Sequence, residues 1–184
     1  MKKNVLYILL VIVSVTCGQT IHSARNQAMG CALHSTSEDL SANFLNPAGL
    51  TLFDYHGGIA NYTSMYNAFS YDALGSGSAG YSHHLNEFWH MGLTGDFLYS
   101  DIFRKNIFSA IIARKQGKFA LALRPYIGVI GYREENFIYG DDDIPDDPLF
   151  DDGFGAAAFA FDFGTIYSLD SLTRFFFHYC PLIY

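Results

Sequence analysis

Hydrophobic residues alternate with small or polar ones along most of the chain from residue 57 onward. The stretch 87–99 is the clearest case, because its odd positions from Trp89 to Tyr99 are apolar or glycine and most even positions are small or polar. A period of two is typical of a β-strand whose two faces meet different surroundings. Helical periodicity is absent from this part of the chain, so the pattern predicts an all-β fold.

Other segments repeat this design. The alternation predicts long strands at 119–133 and 158–169, and shorter strands at 58–69, 78–85 and 106–114. The tripeptide Lys115-Gln116-Gly117 is predicted to form the tight turn between two of these strands. The strand region therefore covers residues 57–170. Residues 171–184 lose the alternation and contain Pro181, so they are predicted to be an irregular C-terminal tail.

The two faces of these strands favour a membrane barrel over a soluble sheet. One face is rich in Phe, Tyr and Leu, and the other carries Ala, Gly and Thr where a water-exposed face would carry Lys and Glu. Aromatic residues at strand ends and small or polar inner residues are typical of outer-membrane barrels. A sheet in lipid must close on itself, because an open edge leaves backbone groups unpaired. We therefore predict an antiparallel transmembrane β-barrel, with a soluble sandwich as the alternative.

The N-terminus predicts export. The basic pair Lys2-Lys3 precedes an apolar run at 5–15, and the small residues Thr16-Cys17-Gly18 follow it, which is the order of a signal peptide. The run is too short to cross a membrane as a helix, which takes about 20 apolar residues. We predict a signal peptide at residues 1–19 and a location in the cell outer membrane. Lipidation at Cys17 is the alternative to simple cleavage, although the residues before it match a lipoprotein signal poorly.

Composition and charge agree with this prediction. Aromatic residues make up 17% of the chain and charged residues only 16%, whereas average soluble domains have roughly 25% charged residues. Much of the negative charge lies in the Asp-rich segment 140–153, which is predicted to be a solvated external loop, with calcium binding as the alternative. The net charge of −7 argues against a nucleic-acid partner. Cys31 and Cys180 are interpreted as unrelated thiols, and a disulfide between them is the alternative.

Residues 20–56, which we call the hatch segment, differ from the strands. A short helix is predicted at 24–33, and the run Asn46-Pro47-Ala48-Gly49-Leu50 ends a second helical patch. Pro47 blocks a helix and favours extended geometry at Asn46. Asn46 is predicted to bond its own local backbone, and Gly49 to adopt dihedral angles that other residues resist. The result would be a compact corner that plugs the mouth of the barrel.

The hatch segment resembles the N-terminal region of the FadL-type outer-membrane transport family, which includes the PorV-type barrels. The matching positions are Ala24-Arg25, Ala28, Gly30, Ala32, Asp39, Ser41 and the NPAGL run at 46–50, and the segment 162–167 is similar to a strand motif of the same group. The resemblance implies a barrel of fourteen strands whose hatch gates the passage of long-chain fatty acids and other hydrophobic molecules. In PorV-type members the barrel serves protein secretion or surface attachment, with exported proteins as partners.

The length of the chain departs from that family. Only about six strands are predicted, and 184 residues are too few for fourteen. We therefore expect a partial barrel embedded in outer-membrane lipid. Three interpretations stay open: a protein for the passage of hydrophobic molecules, a PorV-like structural or interaction barrel, and a truncated or frameshifted fragment without function of its own.

No catalytic residues, metal site or cofactor are predicted, and the chain is not expected to be an enzyme. Neither G-x-S-x-G nor H-E-x-x-H occurs. His90 and Asp96 would share the inner face of one strand, but six residues correspond to about 20 Å. The remaining histidines are scattered along the chain, and no metal set is predicted among them.

Arg124 is the most interesting inner-face residue. It lies at a predicted inward position among Ala and Gly, beside Tyr126. One interpretation is that Arg124 and Tyr126 bind a ligand, because a guanidinium can hold a fatty-acid carboxylate through two parallel hydrogen bonds. The other is that Arg124 pairs with Asp96 or Asp162 and stabilises the interior of the barrel.

Overall fold

A computed structural model describes residues 39–65, 74–132, 155–170 and 173–179. The predicted signal peptide at 1–19, the helix at 24–33 and the acidic loop at 140–153 lie outside these residues. Cys31 and Cys180 lie outside them as well. No helix within the described residues is long and apolar enough to cross a membrane.

Seven strands form one antiparallel sheet in which the spatial order follows the sequence, and the sheet curls into a half-barrel. The strands are β1 (Gly57–Met65), β2 (Leu74–His84), β3 (Trp89–Tyr99), β4 (Phe103–Gln116), β5 (Phe119–Tyr132), β6 (Gly155–Ser168) and β7 (Arg174–Tyr179). The prediction of an all-β fold is confirmed. Each of the six strands predicted from alternation corresponds to one of β1 to β6.

Strand β4 is longer than its predicted counterpart at 106–114. Its pairing with β5 continues to Gln116, which lies opposite Phe119. The tight turn therefore falls on Gly117 and Lys118 instead of 115–117, and Gly117 has a φ of +60°, which glycine adopts at little cost. The predicted strand ended too early because the last residues of β4 are polar on both faces, which removes the alternation. Polar residues on both faces are tolerated where a strand leaves the sheet.

The tail predicted to be irregular at 171–184 contains strand β7, so the prediction is wrong for residues 174–179. Phe163 to Ser168 of β6 pair with β7 in antiparallel register. The alternation is hidden in the sequence because both faces of β7 carry aromatic residues: Phe175 and Phe177 are exposed on the outer face, whereas Phe176 packs against the buried core.

The faces of the sheet differ as predicted. Large apolar side chains point outward, and Phe159 and Phe161 on β6 are 68% and 54% exposed. Asp162 and Ile166 on the inner face of the same strand are 0% and 1% exposed. On β3, the outer residues Met91 and Leu93 are exposed, whereas His90 on the inner face of the same strand is buried. The sheet is therefore apolar toward its surroundings and covered on its inner face.

The described part of the hatch segment covers that inner face. It contains helix α1 (Ala42–Leu45) and a 3₁₀-helix (Pro47–Leu52). Leu50 belongs to the core cluster together with Ile111 of β4, Ile166 of β6 and alanines of β4 and β5. Full burial of an aliphatic side chain of this size contributes about 1.5–3 kcal/mol. The core lies between the hatch segment and the seven-stranded sheet, which we call the wall. Without the hatch segment, the inner face of the wall would therefore lose the residues that it packs against.

The corner at Asn46 forms largely as predicted. Asn46 is extended, with φ −142° and ψ 108°, and its Oδ1 accepts a hydrogen bond from the backbone N–H of Ala48 at 3.1 Å. The prediction for Gly49 is wrong, because among the described glycines Gly117 has the positive φ. Gly49 lies inside the 3₁₀-helix, and its N–H donates to the carbonyl of Asn46 at 2.8 Å. An ordinary turn is sufficient once Asn46 has capped it.

Candidate functional site

The interface between the hatch segment and the inner face of the sheet contains residues 46–50, the part of the hatch whose movement is predicted to open the barrel, in one buried layer. Asn46, Pro47, Ala48, Gly49 and Leu50 are all buried against the inner face of the sheet. Thr51 Oγ1 donates to the carbonyl of Ala48 at 2.9 Å and closes the 3₁₀-helix on itself. The segment is therefore a compact unit that lies against the inner face of β3, β4, β5 and β6.

Two inner-face glycines allow the hatch segment to approach the wall closely. A Cβ added at Gly164 would overlap Asn46 Oδ1, and it would lie 3.2 Å from the Ala48 backbone nitrogen. A Cβ added at Gly92 would lie 2.6 Å from Asn43 Oδ1 and 3.2 Å from Leu50 Cδ1. These two small inner-face residues therefore leave the space that specific atoms of the hatch segment occupy.

A buried ion pair connects the hatch segment to strands β5 and β6. Arg124 Nε donates to Asp162 Oδ2 at 2.6 Å, and Nη2 of the same guanidinium also contacts that oxygen. Arg124 Nη1 donates to the backbone carbonyl of Asn43 in α1 at 2.7 Å. Asp162 is fully buried and the Arg124 side chain is 12% exposed. Arg124 therefore pairs with Asp162, one of the two partners predicted for it, and stabilisation of the interior by this pair stays a prediction.

Ligand binding by Arg124 and Tyr126 stays a prediction. Tyr126 is buried on the inner face, two residues from Arg124 along β5. The guanidinium already uses donors for Asp162 and for the hatch carbonyl, so a ligand carboxylate would have to share or displace these bonds.

Asn43 and Ser82 form a second polar link that sequence reasoning missed. Asn43 Nδ2 donates to Ser82 Oγ on β2 at 2.6 Å and to the Leu40 carbonyl at 2.8 Å. Ser82 lies in the strand predicted at 78–85, but nothing in the sequence indicates which hatch residue contacts it. The link therefore depends on how the hatch segment is docked.

A histidine and aspartate cluster lies at the end of the sheet where β2 turns into β3. One donor atom each from Asp54, His84 and His90 lie within 4.8 Å of one another. No metal site is predicted from the sequence, where His90 lies on the same strand as Asp96 but too far from it for direct contact. Pairing across the hairpin places His84 opposite His90, which could have been found from the turn at 85–88, but the approach of Asp54 depends on the hatch segment.

Comparison with known proteins adds no relative. No protein-family model matches the chain, and no curated protein or solved structure matches it.

Proposed function

We propose that this chain is an outer-membrane β-barrel protein that lets hydrophobic molecules, such as long-chain fatty acids, cross the membrane. The observation that carries the proposal is the arrangement of the two faces. Large apolar side chains are exposed on the outside, and the inside is filled by a compact hatch segment with polar links to the wall. A hatch that moves would open a route, and no bond is broken in the substrate.

The height of the apolar face supports a position in lipid. On the outer face of β4, Arg104 and Arg114 mark the two ends, and the residues between them are apolar or small except Asn106 near one end. Ten residue steps at about 3.3 Å span about 33 Å, which becomes about 25 Å along the membrane normal at a strand tilt of about 40°. This equals the usual height of the lipid-facing band of an outer-membrane barrel.

Aromatic side chains at the ends of this band support the same position. The Arg114 guanidinium lies over the Trp89 ring at 5.2 Å, and Tyr99 lies opposite Arg104 at the other end. Phe119 and Tyr167 contact each other at the same end as Trp89, with ring centroids 4.6 Å apart. Aromatic and cationic residues together are typical of the boundary between lipid and water.

Closure of the sheet is part of the proposal. Within the described residues, β1 and β7 each pair with one neighbour, so each has an edge that lipid would not tolerate. The working assembly therefore includes strands beyond these seven.

Locking the hatch segment tests the proposed passage. The Asn43–Ser82 hydrogen bond marks a place where a disulfide between Asn43→Cys and Ser82→Cys would tie the hatch to β2. The native cysteines are replaced by Ser, and the full chain is reconstituted in vesicles. We expect uptake of a labelled long-chain fatty acid that stops on oxidation and returns on reduction.

The matched control is a disulfide within the wall. Thr94 Oγ1 and Ser109 Oγ lie 2.6 Å apart on neighbouring strands β3 and β4, so Thr94→Cys with Ser109→Cys crosslinks the wall and leaves the hatch free. Uptake that survives oxidation in this control but not in the hatch variant supports gating. Absence of saturable uptake in the reduced protein, or equal loss in both variants, contradicts the proposed passage.

The buried ion pair favours a second candidate, a barrel with a permanent plug and a structural or secretion-associated role. Arg124 holds the hatch carbonyl of Asn43 while it pairs with a fully buried carboxylate. Uptake that is absent while exported proteins co-purify with the chain would favour this alternative.

A further inference from the structure

We propose that Asp54, His84 and His90 bind a divalent transition-metal ion of the Zn²⁺ class. This inference does not depend on the proposed passage of hydrophobic molecules, because it concerns the end of the β2–β3 hairpin and the point where the hatch segment leaves the inner face.

Three separate elements bring the donor atoms together. His84 ends β2 and His90 lies near the start of β3, and the two residues are register partners across the turn. Their imidazole rings stack with centroids 4.7 Å apart and an angle of 8° between the planes. Asp54 lies between the 3₁₀-helix of the hatch and β1, and one donor atom from each of the three residues lies within 4.8 Å of the other two.

The hydrogen bond of His84 leaves its other ring nitrogen available as a ligand. His84 Nδ1 lies 3.1 Å from the Asp54 backbone oxygen, and since a carbonyl can only accept, Nδ1 carries the hydrogen and Nε2 keeps its lone pair. A hydrogen bond from the other ring nitrogen is the usual support of a metal-binding imidazole.

His90 supplies an independent observation. This residue is only 3% exposed, and its Nε2 is buried without a hydrogen-bond partner, as is Nε2 of His84. A buried polar atom left without a partner is unfavourable, because it has lost its hydrogen bonds to water. A metal ion would be a partner for both Nε2 atoms once the nearly parallel rings turn toward it, whereas no described side chain is one.

The donor set selects the class of metal. Two imidazoles and one carboxylate are a known ligand set of zinc sites that keep a fourth position for water. Ca²⁺ and Mg²⁺ prefer six or more oxygen ligands, so they fit this cluster poorly. Zinc–ligand bonds of about 2.0–2.1 Å put tetrahedral donors about 3.3 Å apart, so the cluster must contract on binding. The exposed side chain of Asp54 is free to move inward.

Co²⁺ binding to the full-length chain in detergent tests this site, because tetrahedral Co²⁺ has visible ligand-field bands. Cysteines are alkylated beforehand, and excess Ca²⁺ occupies carboxylate-only sites such as the acidic segment 140–153. We expect one equivalent of Co²⁺ with a tetrahedral spectrum, displaced by Zn²⁺. A spectrum of hydrated octahedral Co²⁺ only, or no saturable binding, would overturn the proposal.

Variants locate the ion. His90→Ala and Asp54→Asn are each expected to weaken binding at least tenfold, since even loss of an outer partner of a ligand costs 10–100-fold. His83→Ala is the matched control, because His83 neighbours His84 but is exposed on the opposite face. If His90→Ala does not fold, Asp54→Asn alone tests the site, because Asp54 is exposed and its substitution should leave the fold intact. Unchanged affinity in Asp54→Asn, or equal loss in His83→Ala, would contradict the assignment.

Discussion

Asp162 carries a fully buried charge on the inner face of the sheet. Its carboxylate is completely buried, and Arg124 supplies two contacts to one of its oxygens. His178 Nε2 approaches the same oxygen at 3.7 Å. Bringing both charges out of water is costly, so the pair itself adds little stability, but removal of Arg124 takes away the guanidinium that contacts a fully buried carboxylate.

We therefore expect Arg124→Leu to destabilise the protein by about 3–5 kcal/mol, because the Asp162 carboxylate would remain buried without the guanidinium that contacts it. The measurement is urea unfolding of the reconstituted protein. The double variant Arg124→Leu with Asp162→Leu should recover most of the loss, since apolar residues often replace a buried ion pair at little cost. A double variant as unstable as the single one would show that the hatch contact to Asn43 matters more than the charge.

The elements divide into those that the sequence predicts and those that it does not. Strands β1 to β6 were found because a period of two survives whenever one face is apolar and the other small. Strand β7 was missed because Phe175 and Phe176 are both aromatic although they lie on opposite faces. The Asn46 corner was predicted from local chemistry alone, since proline and asparagine act on their own backbone. Contacts of the hatch with Ser82 or Gly164 depend on docking, which has no local pattern.

Gly164 tests how tightly the hatch segment is seated at the element scale. Gly164→Ala would place a methyl group against Asn46 Oδ1 and Ala48, so we expect displacement of the 3₁₀-helix and a loss of about 1–3 kcal/mol. Gly131→Ala on the neighbouring strand is the matched control, because a Cβ there meets nothing within 4 Å. Protease cleavage within the hatch segment and urea unfolding should both report the difference. Equal behaviour of the two variants would show that the hatch is loosely seated.

The whole molecule exposes large apolar side chains and buries polar ones, an arrangement that would be unfavourable in water. The outer face carries many large apolar residues at 36–68% exposure, while the polar residues Asp162, His90 and Asn43 are almost fully buried inside. A soluble sheet would be expected to show the opposite arrangement. The proposed position in lipid would account for both surfaces. An arginine placed on the outer face distinguishes lipid from water.

Phe108 and Phe119 make that comparison with matched sites. Both point outward, at 54% and 56% exposure, and each contacts one aromatic neighbour, Phe97 and Tyr167 respectively. Phe108 lies midway between Arg104 and Arg114, and Phe119 lies at the rim beside the turn. In lipid, Phe108→Arg should cost about 2–4 kcal/mol and Phe119→Arg about 0–1 kcal/mol, because the penalty depends on depth.

The measurement is reversible unfolding of each variant in lipid vesicles by urea, followed by tryptophan fluorescence, since Trp89 is the single tryptophan of the chain. If the outer face met water instead, either arginine would cost little and both variants would be more soluble. A difference of less than about 1 kcal/mol between the two variants would therefore contradict the lipid-facing assignment. Such a result would also remove the basis for passage through the membrane, whereas the buried pair of Arg124 and Asp162 and the histidine cluster would be unaffected by it.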